Sequence, residues 1–238
     1  MAALFGSQHS VPRELLQSEG DDQRNPRAMV MSTAQQHSFA QKAFAQSNCG
    51  SITHDRPREG SSMTTFSTRL TRALNIRYPI VSAPMAFAGG GALAAAVSRA
   101  GGLGLIGGGY GDPAGLEDQF DAAGDQAVGV GFITWSLRKS PSLLTDALKH
   151  RPAAVMLSFG DPRPFVDAIR GAGAAIICQC QNMEHVQDAV DVGAEVVVAQ
   201  GAEAGGHGAL RGTLSFVPEA ADFLAAHASD TLLLAAGG

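Results

Sequence analysis

The sequence predicts an α/β fold built on a parallel sheet, and three observations carry that prediction. From Arg69 onward, short aliphatic or β-branched runs alternate with helical stretches, and regular β-then-α repetition belongs to this class. The runs are apolar throughout, which marks strands covered on both faces. Glycines and capping residues punctuate the helical stretches.

In order, the first strand is expected over Ile80–Ala83, with a helix over Ala92–Ala100 closed by Gly101. The second strand, Gly104–Ile106, leads to a helix over Ala114–Ala122, and the third, Ala127–Ile133, to one over Ser142–His150. The fourth, Ala154–Ser158, precedes Pro164–Gly171, where Gly171 ends the helix. After the fifth, Ala174–Cys178, Asn182 caps a helix over Met183–Val192 that Gly193 closes. The sixth, Glu195–Gln200, precedes Phe216–His227 with Ser215 as its N-cap, and the seventh is Thr231–Ala235.

Seven such units predict a TIM (β/α)8-type barrel that is incomplete, with its last βα unit missing. Barrels of this kind have eight strands and about 250 residues, whereas residues 69–238 number 170. The loops after strands seven and eight commonly hold a ligand's phosphate. The chain stops at Ala235-Ala236-Gly237-Gly238, so it reads as cut at its C-terminus, within that site.

The barrel is expected over residues 64–238 and a disordered, weakly hydrophobic extension over 1–63. Only four of the 29 glycines precede Met63, and residues 1–62 carry six basic and six acidic side chains with no sustained apolar period. Such a segment buries too little apolar surface to offset its ordering entropy. It has no apolar signal-peptide core, and Glu14, Glu19, Asp21 and Asp22 are wrong for a transit peptide. Met63 is an alternative start.

Composition excludes several function classes. A formal net charge of −5 offers no basic field for nucleic acid or anionic lipid. No uninterrupted run of 18 apolar residues is present to span a membrane. Cys49, Cys178 and Cys180 are too few for a disulfide framework and point to a reducing compartment, the cytoplasm. No second Cys/His cluster stands at ligand spacing, so no metal is expected. Cys178 and Cys180 read as small core residues.

Two glycine motifs imitate a dinucleotide site. Gly102-Leu103-Gly104-Leu105-Ile106-Gly107 runs from helix into strand, the reverse of the fingerprint's context. Gly89-Gly90-Gly91-Ala92-Leu93-Ala94 opens a helix, but five residues separate it from the preceding strand. The first strand ends in Ser82-Ala83-Pro84-Met85-Ala86. Small residues and a proline there either let backbone approach a flat ligand or form an ordinary barrel-mouth loop.

The strongest local signal follows strand six: Gln200-Gly201-Ala202-Glu203-Ala204-Gly205-Gly206-His207-Gly208. Barrel enzymes keep their chemistry at this end of the strands. Histidine, with an unperturbed pKa of about 6.5, is the natural general base there. The other six histidines lie in the extension or on or beside predicted helices. Glu203 either orients His207 or caps the loop. Trp135, the only tryptophan, either walls the pocket or packs.

Taken together, Arg77-Tyr78-Pro79-Ile80, Ala83-Pro84-Met85, Ala100-Gly101-Gly102-Leu103-Gly104, the Gln200–Gly208 element and Ala236-Gly237-Gly238 resemble the nitronate monooxygenase family, over nearly all of 68–238. The resemblance implies a barrel that holds FMN non-covalently, with His207 as catalytic base. Ala83, Pro84, Met85, Gln179 and Gln200 would lie beside the isoalloxazine ring. Gly205, Gly206, Gly237 and Gly238 would offer backbone near the flavin or its phosphate. Gln179 stands where some members carry Lys. The implied partners are a small nitroalkane or nitronate and O2, and the products a carbonyl compound and nitrite.

Three rivals remain. An FMN-dependent enoyl-acyl-carrier-protein reductase shares the Gly-Gly-His element and consumes NAD(P)H. Its first strand typically ends Gln-Gly-Gly-Met, unlike Ser82-Ala83-Pro84-Met85 here. An NAD(P)H:quinone reductase on the same scaffold is the second. The third is a non-catalytic remnant whose first and seventh strands have open edges.

Overall fold

The computed structural model describes residues 2–5, 67–86, 88–109 and 113–237. Eight parallel strands form one sheet: β1 (Ala2–Phe5), β2 (Ile80–Ser82), β3 (Gly104–Gly107), β4 (Val128–Ile133), β5 (Ala154–Ser158), β6 (Ala175–Cys180), β7 (Val196–Gln200) and β8 (Leu232–Ala236). Each strand from β3 to β8 pairs with its sequence neighbour. β1 pairs with both β2 and β8. A parallel bridge between Val81 and Leu103 joins β2 to β3 and closes the ring.

All seven strands read from the sequence are present, with ends shifted by no more than two residues. The eighth falls within the segment expected to be a disordered extension. Its four residues carry no turn signal or alternation, and their place is decided by long-range pairing. In a closed ring the position before the first strand and after the last is the same place, so β1 pairs both edges that seven strands leave open. The rest of the expected extension, residue 1 and residues 6–63, lies outside the described residues.

Around the ring run α1 (Arg69–Ala73), α2 (Gly91–Ala100), α3 (Pro113–Ala123), α4 (Thr134–Leu137), α5 (Ser142–Lys149), α6 (Arg163–Gly171), α7 (Met183–Asp191) and α8 (Thr213–His227). Asn182 caps α7 by accepting from His185 N at 2.8 Å. Gly101 (φ 105°) ends α2 in the left-handed conformation. Ser215 is not the cap of α8. The helix starts at Thr213 after Gly212, and Ser215 Oγ donates to the Gly212 carbonyl.

Strand alternation divides the core in two. Leu105, Met156, Ile177, Val196, Val198 and Leu234 fill the barrel interior, while Val130, Leu157, Ile176, Val197 and Phe216 pack between sheet and helices. Cys178 and Cys180 belong to that outer layer, and burial pushes the Cys178 thiol up to about 12. Both imitation nucleotide motifs are packing devices. A Cβ on Gly104 would enter the Ala94 backbone, and one on Gly91 would enter the Gln119 backbone. The Gly91 N–H donates to Gln119 Oε1 at 2.8 Å, so the start of α2 is occupied by α3.

Candidate functional site

At the C-terminal end of the strands a cavity of about 350 Å³ opens into the barrel mouth. It brings together Ala83, Pro84 and Met85 after β2, Gln179 on β6, Gln200 on β7, and Gly205, Gly206 and His207 from the loop that follows. Ligand cavities span roughly 300–1,000 Å³, so the space admits a small organic molecule. Gly237 is not in the wall. It adopts φ 110°, and a Cβ there would stand 2.6 Å from Thr213 Oγ1 and 2.9 Å from Ala204 N. Gly238 lies outside the described residues.

The turn after β2 is held over the mouth by two glycines. A Cβ on Gly107 would stand 2.6 Å from the Met85 carbonyl oxygen, and one on Gly131 would enter the Pro84 ring. Gly131 points into the barrel between the outward Val130 and Phe132, and its missing side chain is the space Pro84 takes. The Gly89 N–H closes the turn on the Met85 carbonyl at 2.7 Å.

Two amide side chains stand in the wall beside Ser158 and His207. Ser158 Oγ donates to Gln179 Oε1 at 2.6 Å. That leaves the Gln179 NH2 as the end available to a ligand. Gln200, itself buried, accepts from Gln181 Nε2 at 2.9 Å and donates its own Nε2 to the His207 carbonyl at 2.9 Å. The His207 ring lies 5.6 Å from that of Phe159, tilted by 56°. Phe159 has φ 62°, a left-handed backbone that costs a non-glycine residue about 1–3 kcal/mol and recurs at functional sites.

Glu203 resolves in favour of the cap. Its carboxylate accepts from Thr213 N at 2.8 Å and Thr213 Oγ1 at 2.7 Å, at the first turn of α8. The Thr213 hydroxyl bond, then the Thr213 N–H bond, hold its pKa below the ordinary carboxylate value. Trp135 is not part of the cavity wall. It is 45% exposed on α4, with Lys139 Nζ 5.0 Å from the ring centroid.

Sequence reasoning missed Gly131, Phe132, Ile133, Ser158 and Phe159 in the wall, and Gln181 behind it. All but Gln181 lie at or just beyond the C-terminal ends of β4 and β5, the end of the strands where barrel enzymes keep their chemistry, whereas Gln179 and Gln200 come from the family resemblance. Among the described residues, no group of three or more His, Cys, Asp or Glu side chains is placed to hold a metal ion. No helix among them is long and apolar enough to cross a membrane.

Comparisons with known proteins agree on the scaffold. In structure, the chain is similar to FabK from Thermotoga maritima, with a TM-score of 0.62 and 27% identity over 72% of this chain and 62% of that one. It shares the fold of a nitroalkane oxidase from Streptomyces ansochromogenes at 24% identity and a TM-score of 0.57, over 71% of this chain and 67% of that one. In sequence it is 35% identical to a nitronate monooxygenase of Pseudomonas aeruginosa, over 73% of this chain and 60% of the relative. It is 30% identical to one of Neurospora crassa, over 67% of this chain and 53% of the relative. The chain thus spans between half and two thirds of the length of these curated relatives. The family model described as nitronate monooxygenase matches residues 67–126 and 137–238, and with that match over most of its length the chain belongs to the nitronate monooxygenase family.

Proposed function

We propose that this chain is an FMN-dependent oxidoreductase that uses O2 to convert alkyl nitronates, and nitroalkanes after deprotonation, into carbonyl compounds and nitrite. The observation that carries the reading is the convergence of His207 with Ala83, Pro84, Met85, Gln179, Gln200, Gly205 and Gly206 on one cavity. A planar cofactor fits a wall of small residues and backbone, with the Gln179 NH2 as a fixed donor. Gly205 and Gly206 have nothing within 4 Å of where a Cβ would be, so their backbone faces open space. These residues would hold the ring, and Gly237 would lie toward its phosphate. Bound FMN would supply an electron acceptor that O2 regenerates.

His207 is the only titratable side chain among the described wall residues. A nitro group acidifies the neighbouring C–H, and the imidazole removes that proton from a neutral nitroalkane. A preformed nitronate has already lost it. Neither Lys nor Arg is among the described wall residues, so neutral amide and backbone donors meet the developing negative charge.

Replacing His207 with Asn is expected to lower turnover of neutral nitroalkane by about 100-fold or more, the usual worth of a positioned base. Turnover of preformed nitronate should change little. Steady-state oxygen uptake on both substrates checks this, and equal losses would overturn the base assignment. Anaerobic mixing with NADPH is expected to leave the flavin oxidised, and rapid bleaching would move the chain to the reductases.

A further inference from the structure

Gln181 follows β6, is 4% exposed, and does not line the cavity. Its bonding partners nonetheless reach the candidate base. We propose that Gln181 is a positioning residue that sets the direction of the Gln200 amide and so fixes the loop carrying His207; the catalytic part of this inference rests on the reading of His207 given above.

The His207 carbonyl can only accept, so Gln200 must present its NH2 to it, as the 2.9 Å bond shows. The Gln200 oxygen must then face the other way, toward Gln181, and Gln181 must offer a donor. It does, through Nε2 at 2.9 Å. Reversing the Gln181 amide would put oxygen against oxygen, and the strain would pass along Gln200 to His207.

Gln181 is itself held in place. Its N–H points at His185 Nδ1 at 3.4 Å, and the next residue, Asn182, caps α7. The far end of the relay needs such an anchor. Gly205, Gly206 (φ 82°) and Gly208 surround His207, and none has anything within 4 Å of where a Cβ would be. The base of the loop is tied by Ala202 N to the Arg211 carbonyl and by Glu203 to Thr213. The Gln200 bond is what reaches His207 itself.

The test is Gln181→Met, which keeps the length of the side chain and removes its donor. Amide exchange in peptides covering 203–209 is expected to quicken by about fivefold to tenfold, the opening that loss of one neutral hydrogen bond allows. Exchange in β6 and α7 should hold. The ratio of nitroalkane to nitronate turnover should fall by a similar factor. Unchanged loop exchange would overturn the proposal. Quickened exchange in a chain whose wild type turns over neither substrate would uphold the positioning role and defeat the functional reading alone.

Should the methionine variant unfold, Gln181→Glu decides. A protonated carboxyl can donate to Gln200 and a carboxylate cannot. Loop protection, relative to wild type at the same pH, should fall as the pH rises through the titration of that carboxyl. Protection independent of pH would overturn the proposal.

Discussion

Pro84 occupies space that a side chain at position 131 would need, and this one exchange of volume shapes the cavity. Gly131→Ala places a methyl group inside the Pro84 ring. Either Pro84 lifts or β4 shifts, and overpacking of this kind costs about 1–3 kcal/mol. Because Ala83, Pro84 and Met85 form one wall, a lifted turn should weaken binding of the FMN proposed above by roughly tenfold, an effect of the same size as that packing cost. Fluorescence titration of the flavin would measure it, alongside the thermal midpoint. Unchanged affinity at an unchanged midpoint would mean that the turn yields freely and does not shape the site. Cys178 and Cys180 show the opposite case, reactive groups made inert by position: both lie in the outer core, and burial raises both thiols.

At the scale of elements, the Glu203–His207 stretch splits into two tasks. His207 reaches the cavity, while Glu203 ties the loop to α8. The sequence showed both residues in a glycine-rich loop after a strand, which was enough to select His207. It could not separate the roles of Glu203, because the partner, Thr213, is ten residues away and its N–H is free only if the helix starts there. Reading the helix from Phe216 hid that donor. The cap gives a prediction with a definite sign. A carboxylate whose folded pKa lies below its unfolded one adds stability above the unfolded value, near 4.5. That stability is lost as pH falls through the lower, folded value. Glu203→Gln should remove this part of the acid dependence, and urea unfolding from neutral pH down through the carboxylate range would reveal it. Parallel curves for the two proteins would show that the cap does not couple to folding. Ser158 and Gln179 show why part of the wall was illegible. They meet because register sets them opposite one another on β5 and β6, and register between strands is not written in either strand alone.

For the whole molecule, the decisive feature is how the ring closes. Alternation of apolar runs and helices made the strands from β2 to β8 legible, and β3 to β7 are buried along most of their length. β1 has no such local pattern. It is defined by its partners, with Leu4 registered against Val81 of β2 and Ala236 of β8. A parallel barrel without it would leave both of those strands with unpaired backbone groups, a template for association with other chains. Leu4→Pro tests whether this strand closes the ring, because proline removes a ladder N–H and is excluded from strands paired on both sides. The expected result is a thermal midpoint lower by roughly 5 °C, the shift that one or two kcal/mol produces in a chain of this size. Concentration-dependent association in sedimentation velocity should accompany it as the β2 and β8 edges open. The Gln181–Gln200–His207 relay is anchored on β6 and β7, away from that seam, so loop exchange at 203–209 should remain near the wild-type rate. A variant with unchanged midpoint and no association would show that β1 adds nothing to closure, and that the bridge between β2 and β3 together with the seven-strand core suffices to hold the barrel.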